Sequence, residues 1–235
     1  MIATCSACAA TGAARAPGVV NEVVTSDAPD AQAAGMLDVA TLAPGIQIDM
    51  RYAGRNNFVG APITGYDAPK CLLLAPVAEA LARVQADVAA RGQTLVVYDC
   101  YRPVRAVQHF MRWANDPEDQ RTKTEFYPRL EKPQLLDGYI AEKSGHSRGA
   151  TVDLGLMRCD AAGACEPLDM GTDFDFFDTR ANTASREVTA AQRANRQLLV
   201  EAMRARGFAN YALEWWHYTL RPEPAPGTAY DFPIR

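Results

Sequence analysis

The sequence predicts an α+β fold, an antiparallel sheet flanked by helices. Three observations carry this. Two long segments have apolar residues at helical spacing, 76–92 and 185–207. Short apolar or alternating runs occur at 46–52, 94–99, 150–157 and 211–220. These runs do not alternate regularly with helices, as the strands of a parallel α/β sheet do.

The first 35 residues read as a tail. "MIATCSACAATGAARAPGVV" is small and polar, and "TSDAPDAQAAG" follows. It lacks a charged start and a long apolar core, so it is not a complete signal peptide. A remnant of an export signal, with "IATC" loosely like a lipoprotein cleavage box, and a plain unstructured tail are the alternatives. Cys5 and Cys8 form a lone Cys-x-x-Cys, a weak metal or redox signal without a second pair. One domain is expected over 36–235.

"IQIDMRY" (46–52) alternates apolar and polar residues and predicts a half-buried strand. "NNFVGAPITGYDAP" is punctuated by Gly and Pro and predicts a loop. The helix from Pro76 has proline at its start and Gly92 past its end. "TLVVYD" (94–99) predicts a buried strand, and "PVRAVQHFMRWAND" (103–116) a second helix. Residues 117–144 are polar and contain proline, a connection long enough to be functional. "ATVDLGLM" (150–157) predicts a strand leading into a hairpin at 158–168. "MGTDFDFFDTRAN" has no clear period. The helix over 185–207 stops at Gly207, and "YALEWWHYTL" (211–220) predicts a last strand.

The chain has 235 residues, a net charge of −4 and 48% hydrophobic residues. No basic stripe is present, which argues against a nucleic-acid partner. No apolar run reaches the length of a membrane span, and no obligate protein partner is evident. Cys159 and Cys165 flank a turn, and Cys71 and Cys100 sit at the edges of a helix–strand pair. Both pairs could bridge, which would indicate an oxidising compartment. The expectation is a periplasmic or exported protein, with lipid anchoring or a cytoplasmic location as alternatives.

Three polar groups sit in awkward places. Asp153 lies inside an apolar strand, where a carboxylate is costly unless paired or metal-bound. His146 precedes it by an odd number of residues, so the two converge only if the chain bends, and Gly149 supplies the bend. His217 stands in the last strand between aromatics. Two imidazoles and one carboxylate are the ligand inventory of a catalytic zinc that keeps a fourth position for water. Glu214, in "LEWWH", is placed to act as general base and acid toward that water. Arg102, in "YDCYRP", stands at a strand exit and could hold a developing oxyanion. His109 reads as an ordinary helix position outside the site.

Taken together, these segments resemble the zinc-dependent D-alanyl-D-alanine dipeptidases, the VanX-like branch of the D,D-peptidases. The pattern Ser-x-His-x-x-Gly-x-Ala-x-Asp corresponds to Ser144, His146, Gly149, Thr151 and Asp153, with Thr151 in place of alanine. Glu-x-x-His corresponds to Glu214 and His217, the "YRP" arginine to Arg102, and "MGTDFDFF" to a Met-Gly-x-x-Phe-Asp-x-Phe segment. The resemblance covers roughly 36–222. It implies a D,D-peptidase/Hedgehog-like zinc fold with one Zn2+ per chain, held by His146, Asp153 and His217. Glu214 would be the general base and acid, and Arg102 the oxyanion partner. Ser144 and Asp175 would bind substrate, with Asp175 facing its free ammonium. Phe174, Phe176 and the tryptophans are candidates for the pocket wall. The implied reaction is hydrolysis of the D-Ala-D-Ala dipeptide. The alternatives are a D,D-carboxypeptidase or endopeptidase on peptidoglycan stem peptides, or a zinc-stabilised binding module without catalysis.

Overall fold

A computed structural model describes residues 22–235. Cys5 and Cys8 lie outside the described residues. In chain order the strands are β1 Val24–Thr25, β2 Met36–Asp38, β3 Gln47–Ile48, β4 Leu72–Leu74, β5 Gln93–Asp99, β6 Thr151–Cys159, β7 Cys165–Pro167, β8 Phe208–Asn210, β9 His217–Leu220 and β10 Thr228–Ala229. The α-helices are α1 Val39–Leu42, α2 Ala75–Ala89, α3 Val104–Ala114, α4 Lys123–Phe126, α5 Lys132–Leu135 and α6 Ala190–Arg204.

The main sheet runs β3-β5-β6-β9-β8, with β7 also paired to β6. It is antiparallel except at one edge, where β3 runs parallel to β5. The fold is therefore mixed α/β. The parallel edge departs from a purely antiparallel sheet, because the chain between β3 and β5 crosses over through α2.

Each main element has a local cause. The helix α2 opens with proline in its first turn, and Gly92 follows its end at φ 69°. Its buried stripe of Val77, Leu81, Val84 and Val88 follows helical spacing. The start of α6 is a capping box: Thr189 accepts from the Gln192 backbone, and the Gln192 side chain accepts from Thr189. That box moves the helix start to Ala190, later than the expected 185. The central strand β6 is buried over its first six residues, which explains its continuous apolar run.

Two predicted strands are shorter than expected. Only Gln47–Ile48 of 46–52 pairs, because Arg51–Ala53 turns as a 3-10 helix. Only His217–Leu220 of 211–220 pairs, because Tyr211–Trp216 folds into turns. Regular structure also starts before the expected Met36, since β1 lies parallel to β10. The connection 117–144 carries the single-turn helices α4 and α5.

Both expected disulfides are present, Cys71–Cys100 and Cys159–Cys165. The second closes the β6–β7 hairpin, where the two cysteines are direct cross-strand partners. Among the described residues, no helix is long and apolar enough to cross a membrane.

Candidate metal centre and cleft

The sheet register builds the centre. Asp153 on β6 pairs with His217 on β9 and, on its other side, with Asp99 on β5. Directly paired residues share a sheet face with their Cβ atoms about 4.5–5.5 Å apart. One row across three strands thus carries two carboxylates and an imidazole. The β5–β6 register shifts between Val97 and Asp99, and that irregularity brings Asp99 into the row.

His146 reaches the row from outside the sheet. It opens a 3-10 turn, His146–Arg148, closed by Gly149 in the left-handed region at φ 68°. An added Cβ at Gly149 would meet Met36 Cε at 2.6 Å, the movable end of a flexible side chain, so it is the positive φ that calls for glycine. Beyond the bend, Thr151 faces Thr219 across the β6–β9 pair, with their hydroxyls 2.9 Å apart. The threonine at 151 is thus accommodated by a hydroxyl partner.

The three donors converge. His146 Nε2 lies 3.2 Å from Asp153 Oδ2, and His217 Nδ1 lies 3.0 Å from Asp153 Oδ1. The two ring nitrogens are 3.4 Å apart. Donor atoms of all three residues lie within 4.8 Å of one another. Asp153 Oδ1 is buried without a hydrogen bond among the described residues. A buried lone pair of this kind, beside two imidazole nitrogens, fits a cation. Two nitrogens and one oxygen suit zinc better than a hard ion that needs many oxygens. His146 Nδ1 donates to the Cys100 carbonyl at 2.7 Å, which leaves Nε2 as the free acceptor.

Charges in the cluster follow from burial and neighbours. Burial opposes ionisation of Asp153, but His146 and His217 outweigh it and hold this carboxyl well below the usual range. Burial would lower His217, yet the Asp153 charge raises it. Burial pushes the Glu214 carboxyl up to about 7. Glu214 lies in the turn before β9, not within the strand as expected, and its Oε2 is 3.4 Å from His217 Nδ1. Asn210 holds that turn through the Glu214 and His217 carbonyls, at 3.0 and 3.1 Å.

Arg102 sits at the exit of β5. Its Nε donates to Asp99 Oδ2 at 2.9 Å, and Nη2 pairs ionically with the same oxygen at 2.8 Å and lies 3.7 Å from Asp153 Oδ2. Its guanidinium packs over the Tyr52 and Phe110 rings. Its Nη1 makes no hydrogen bond to the described residues. Asp99 is fully buried and also accepts from the Tyr66 hydroxyl at 2.6 Å. Burial raises the Asp99 carboxyl, with Arg102 opposing.

These groups line a cleft of about 290 Å³, at the small end of ligand sites, about 300–1,000 Å³. Asp175 is on its wall, buried at 4% exposure, and its Oδ2 accepts from the Tyr52 hydroxyl at 2.8 Å. Burial, with the Asp153 charge, holds the Asp175 carboxyl well above the usual range. Asp175 has φ 59°, the one non-glycine left-handed residue among those described. Such a conformation costs of the order of 1 kcal/mol and persists only when the surroundings enforce it. Ser144, half-buried on the same wall, accepts from the His146 backbone at 3.2 Å. Phe177, Phe58, Phe110 and Trp216 supply apolar wall. Phe174 and Phe176 do not: Phe174 stacks on Tyr98 and Phe176 lies against Arg180. His109 is outside the cleft, accepting from the Thr64 backbone.

The structure thus brings together His146, Asp153, His217, Glu214, Arg102, Ser144 and Asp175 in one cleft. Sequence reasoning missed Asp99, Tyr52 and Tyr66. Asp99 had a usable signal, a carboxylate ending an apolar strand three residues before Arg102. The tyrosines had none: Tyr52 ended a predicted strand and Tyr66 lay in a predicted loop, and aromatics in both places default to core.

A sequence profile described as D-ala-D-ala dipeptidase matches residues 32–235. The chain belongs to this peptidase family. It is 45% identical over 197 residues to a D-alanyl-D-alanine dipeptidase of Streptomyces coelicolor, covering 83% of this chain and 96% of that protein. With the corresponding dipeptidase of Enterococcus faecium it shares 40% over 192 residues, 81% of this chain and 94% of the other. An Escherichia coli dipeptidase of the same description is 33% identical over 185 residues, 79% of this chain and 84% of its own.

Proposed function

We propose that this peptidase hydrolyses the D-Ala-D-Ala dipeptide to D-alanine, with one zinc ion held by His146, Asp153 and His217. When bound, zinc supplies Lewis acidity, polarising the scissile carbonyl and acidifying water in the cleft. Glu214 takes a proton from the attacking water at a carboxylate oxygen and delivers it to the departing amine nitrogen. Arg102 presents N–H groups to the developing oxyanion. Its bonds to Asp99 fix its direction before substrate arrives, so reorganisation is small. Asp175 pairs with the substrate ammonium, and Ser144 offers a hydroxyl beside it. Bringing a cation to Asp175 offsets the cost of a buried carboxylate, so binding draws that group toward its ionised form.

The observation that carries this reading is geometric: a buried carboxyl, Glu214, stands 3.4 Å from His217 Nδ1 beside a three-donor cluster in a small cleft. A carboxylate so placed is within reach of water bound at the cluster. Dipeptide specificity is supported by the size of the cleft and by the acidic wall at Asp175. A longer chain would leave Asp175 buried without a cation, which disfavours it. The carboxypeptidase and endopeptidase alternatives lack a comparable observation. Two disulfides support an exported protein in an oxidising compartment.

The test is a product assay on D-Ala-D-Ala and on a stem pentapeptide, run with metal analysis on the same sample. Release of D-alanine from the dipeptide, with loss on chelation and recovery on adding zinc, supports the reading. Preferential cleavage of the pentapeptide refutes the dipeptide assignment. Glu214→Ala should keep zinc and lose turnover.

A further inference from the structure

Arg196 on α6 is a charged side chain buried to 1% exposure. It has no carboxylate partner within ion-pair distance among the described residues. Instead it spreads its guanidinium over three backbone carbonyls. Its Nε donates to Met170 O at 2.7 Å, Nη1 to Asn182 O at 2.7 Å and Nη2 to Arg180 O at 2.9 Å. Burial pulls its pKa down to about 10, so it stays charged at neutral pH.

A buried cation satisfied only by carbonyls is an expensive way to fill a core position, where leucine would pack without desolvation cost. The location of those carbonyls gives the reason. Met170 lies at the entry of segment 170–182, and Arg180 and Asn182 lie at its exit. One planar fork therefore ties both ends of a single excursion. Two neighbours on the same helix face help at the entry: Gln192 Nε2 donates to Asp169 Oδ2, and Asn195 Nδ2 to Asp169 O, each at 2.9 Å.

The excursion is the segment that carries Asp175. From Met170 to Asp178 it has no helix or strand of its own. Among the described residues, no hydrogen bond within 170–178 engages Asp175, whose carboxyl bonds only to Tyr52. Asp175 is nonetheless held at φ 59° with its carboxyl on the Tyr52 hydroxyl. A left-handed aspartate in a segment without regular structure needs constraint from outside. The Arg196 fork supplies it at both ends; between them the Phe177 backbone, bonded to Phe126 O at 2.7 Å, the Trp215 indole on the Thr172 hydroxyl at 2.9 Å, and the Arg129–Asp178 ion pair add to it.

We propose that Arg196 is a positioning residue for substrate selection: by clasping both ends of 170–182 it fixes Asp175 in the cleft wall, and so sets the demand for a free amine. This rests on the reading that Asp175 takes the substrate ammonium. Arg196 does not line the cleft, so it acts through Asp175 and not on the reacting atoms. Lysine keeps the charge but puts its three donors on one nitrogen, so it does not reproduce the planar spread that reaches carbonyls at both ends of the segment.

The test compares zinc-loaded full-length parent, Arg196→Lys and Arg196→Met. Both variants should hold one zinc. Their kcat/KM for D-Ala-D-Ala should fall on the order of 10²-fold, the cost of a misplaced binding group, carried by KM. Hydrolysis of N-acetyl-D-Ala-D-Ala relative to the free dipeptide should rise. Amide exchange should quicken within 170–182 and not across the sheet. Unchanged selectivity with unchanged protection of 170–182 overturns the proposal. So does uniform loss of protection, or loss of soluble protein in both variants, because Arg196 is then a general fold determinant. Asp175→Asn is the reference. A raised KM with normal exchange in 170–182 supports the amine reading on its own. An unchanged KM removes that reading, and the selectivity role of Arg196 with it.

Discussion

Glu214 makes a stability measurement speak to function. Burial lifts its carboxyl from an ordinary 4.5 to about 7. In the metal-free protein the folded state keeps this proton through an interval in which the unfolded chain has already lost it. A group raised on folding stabilises below its unfolded pKa, and that stability is lost as pH rises toward the folded value. At about 1.4 kcal/mol per pH unit, the interval corresponds to roughly 3 kcal/mol. Glu214→Gln keeps the shape and cannot ionise. The chelated variant should therefore match the parent's stability change least at pH 8, where it is more stable by about 3 kcal/mol, and track it near pH 4.5. Urea unfolding of both proteins at the two pH values, with chelator throughout, gives the difference directly. A parent–variant gap that stays constant between pH 4.5 and 8 would refute the buried-base argument.

Other perturbations follow the same geometry. Arg102→Ala should lower kcat by about 10²–10³, and stability by about 3–5 kcal/mol because Asp99 is left buried and unpaired; steady-state kinetics and thermal melts read the two effects. Replacing both Cys71 and Cys100 by alanine should cost about 3–4 kcal/mol from the loop they close. It should also weaken zinc binding, since the Cys100 carbonyl orients His146; competition with a chromogenic chelator measures it. Gly149→Ala forces a side chain into positive φ and makes the Met36 terminus shift. It should lower both melting temperature and zinc affinity, and a normal zinc titration would count against the bend as a site determinant.

Much of this centre was legible because its residues break local rules. Asp153 is a carboxylate in an apolar strand, and its neighbour across the sheet is another misfit, His217. Gly149 marked the only place where His146 could turn back to meet them. The helices α2 and α3 were legible from proline at the start and apolar spacing, the ordinary boundary chemistry. What stayed hidden depends on three-dimensional register. Asp99 joins the row only through an irregularity in the β5–β6 pairing, which no spacing announces. The short length of β9 reflects the Asn210 side chain capturing the preceding turn, a contact made after folding. The pocket wall went to Phe177 instead of Phe174 and Phe176, because a segment without period gives no facing rule. Arg196 carries no mark in the sequence within the 185–207 helix, and only burial against backbone carbonyls distinguishes it.

The most direct test of the central claim is a zinc titration of the chelated protein, followed by calorimetry, for the parent and for His146→Ala, Asp153→Ala and His217→Ala. The account predicts one tight equivalent in the parent and loss of that tight site in each variant. Parental affinity in Asp153→Ala, or no stoichiometric binding in the parent, would contradict it.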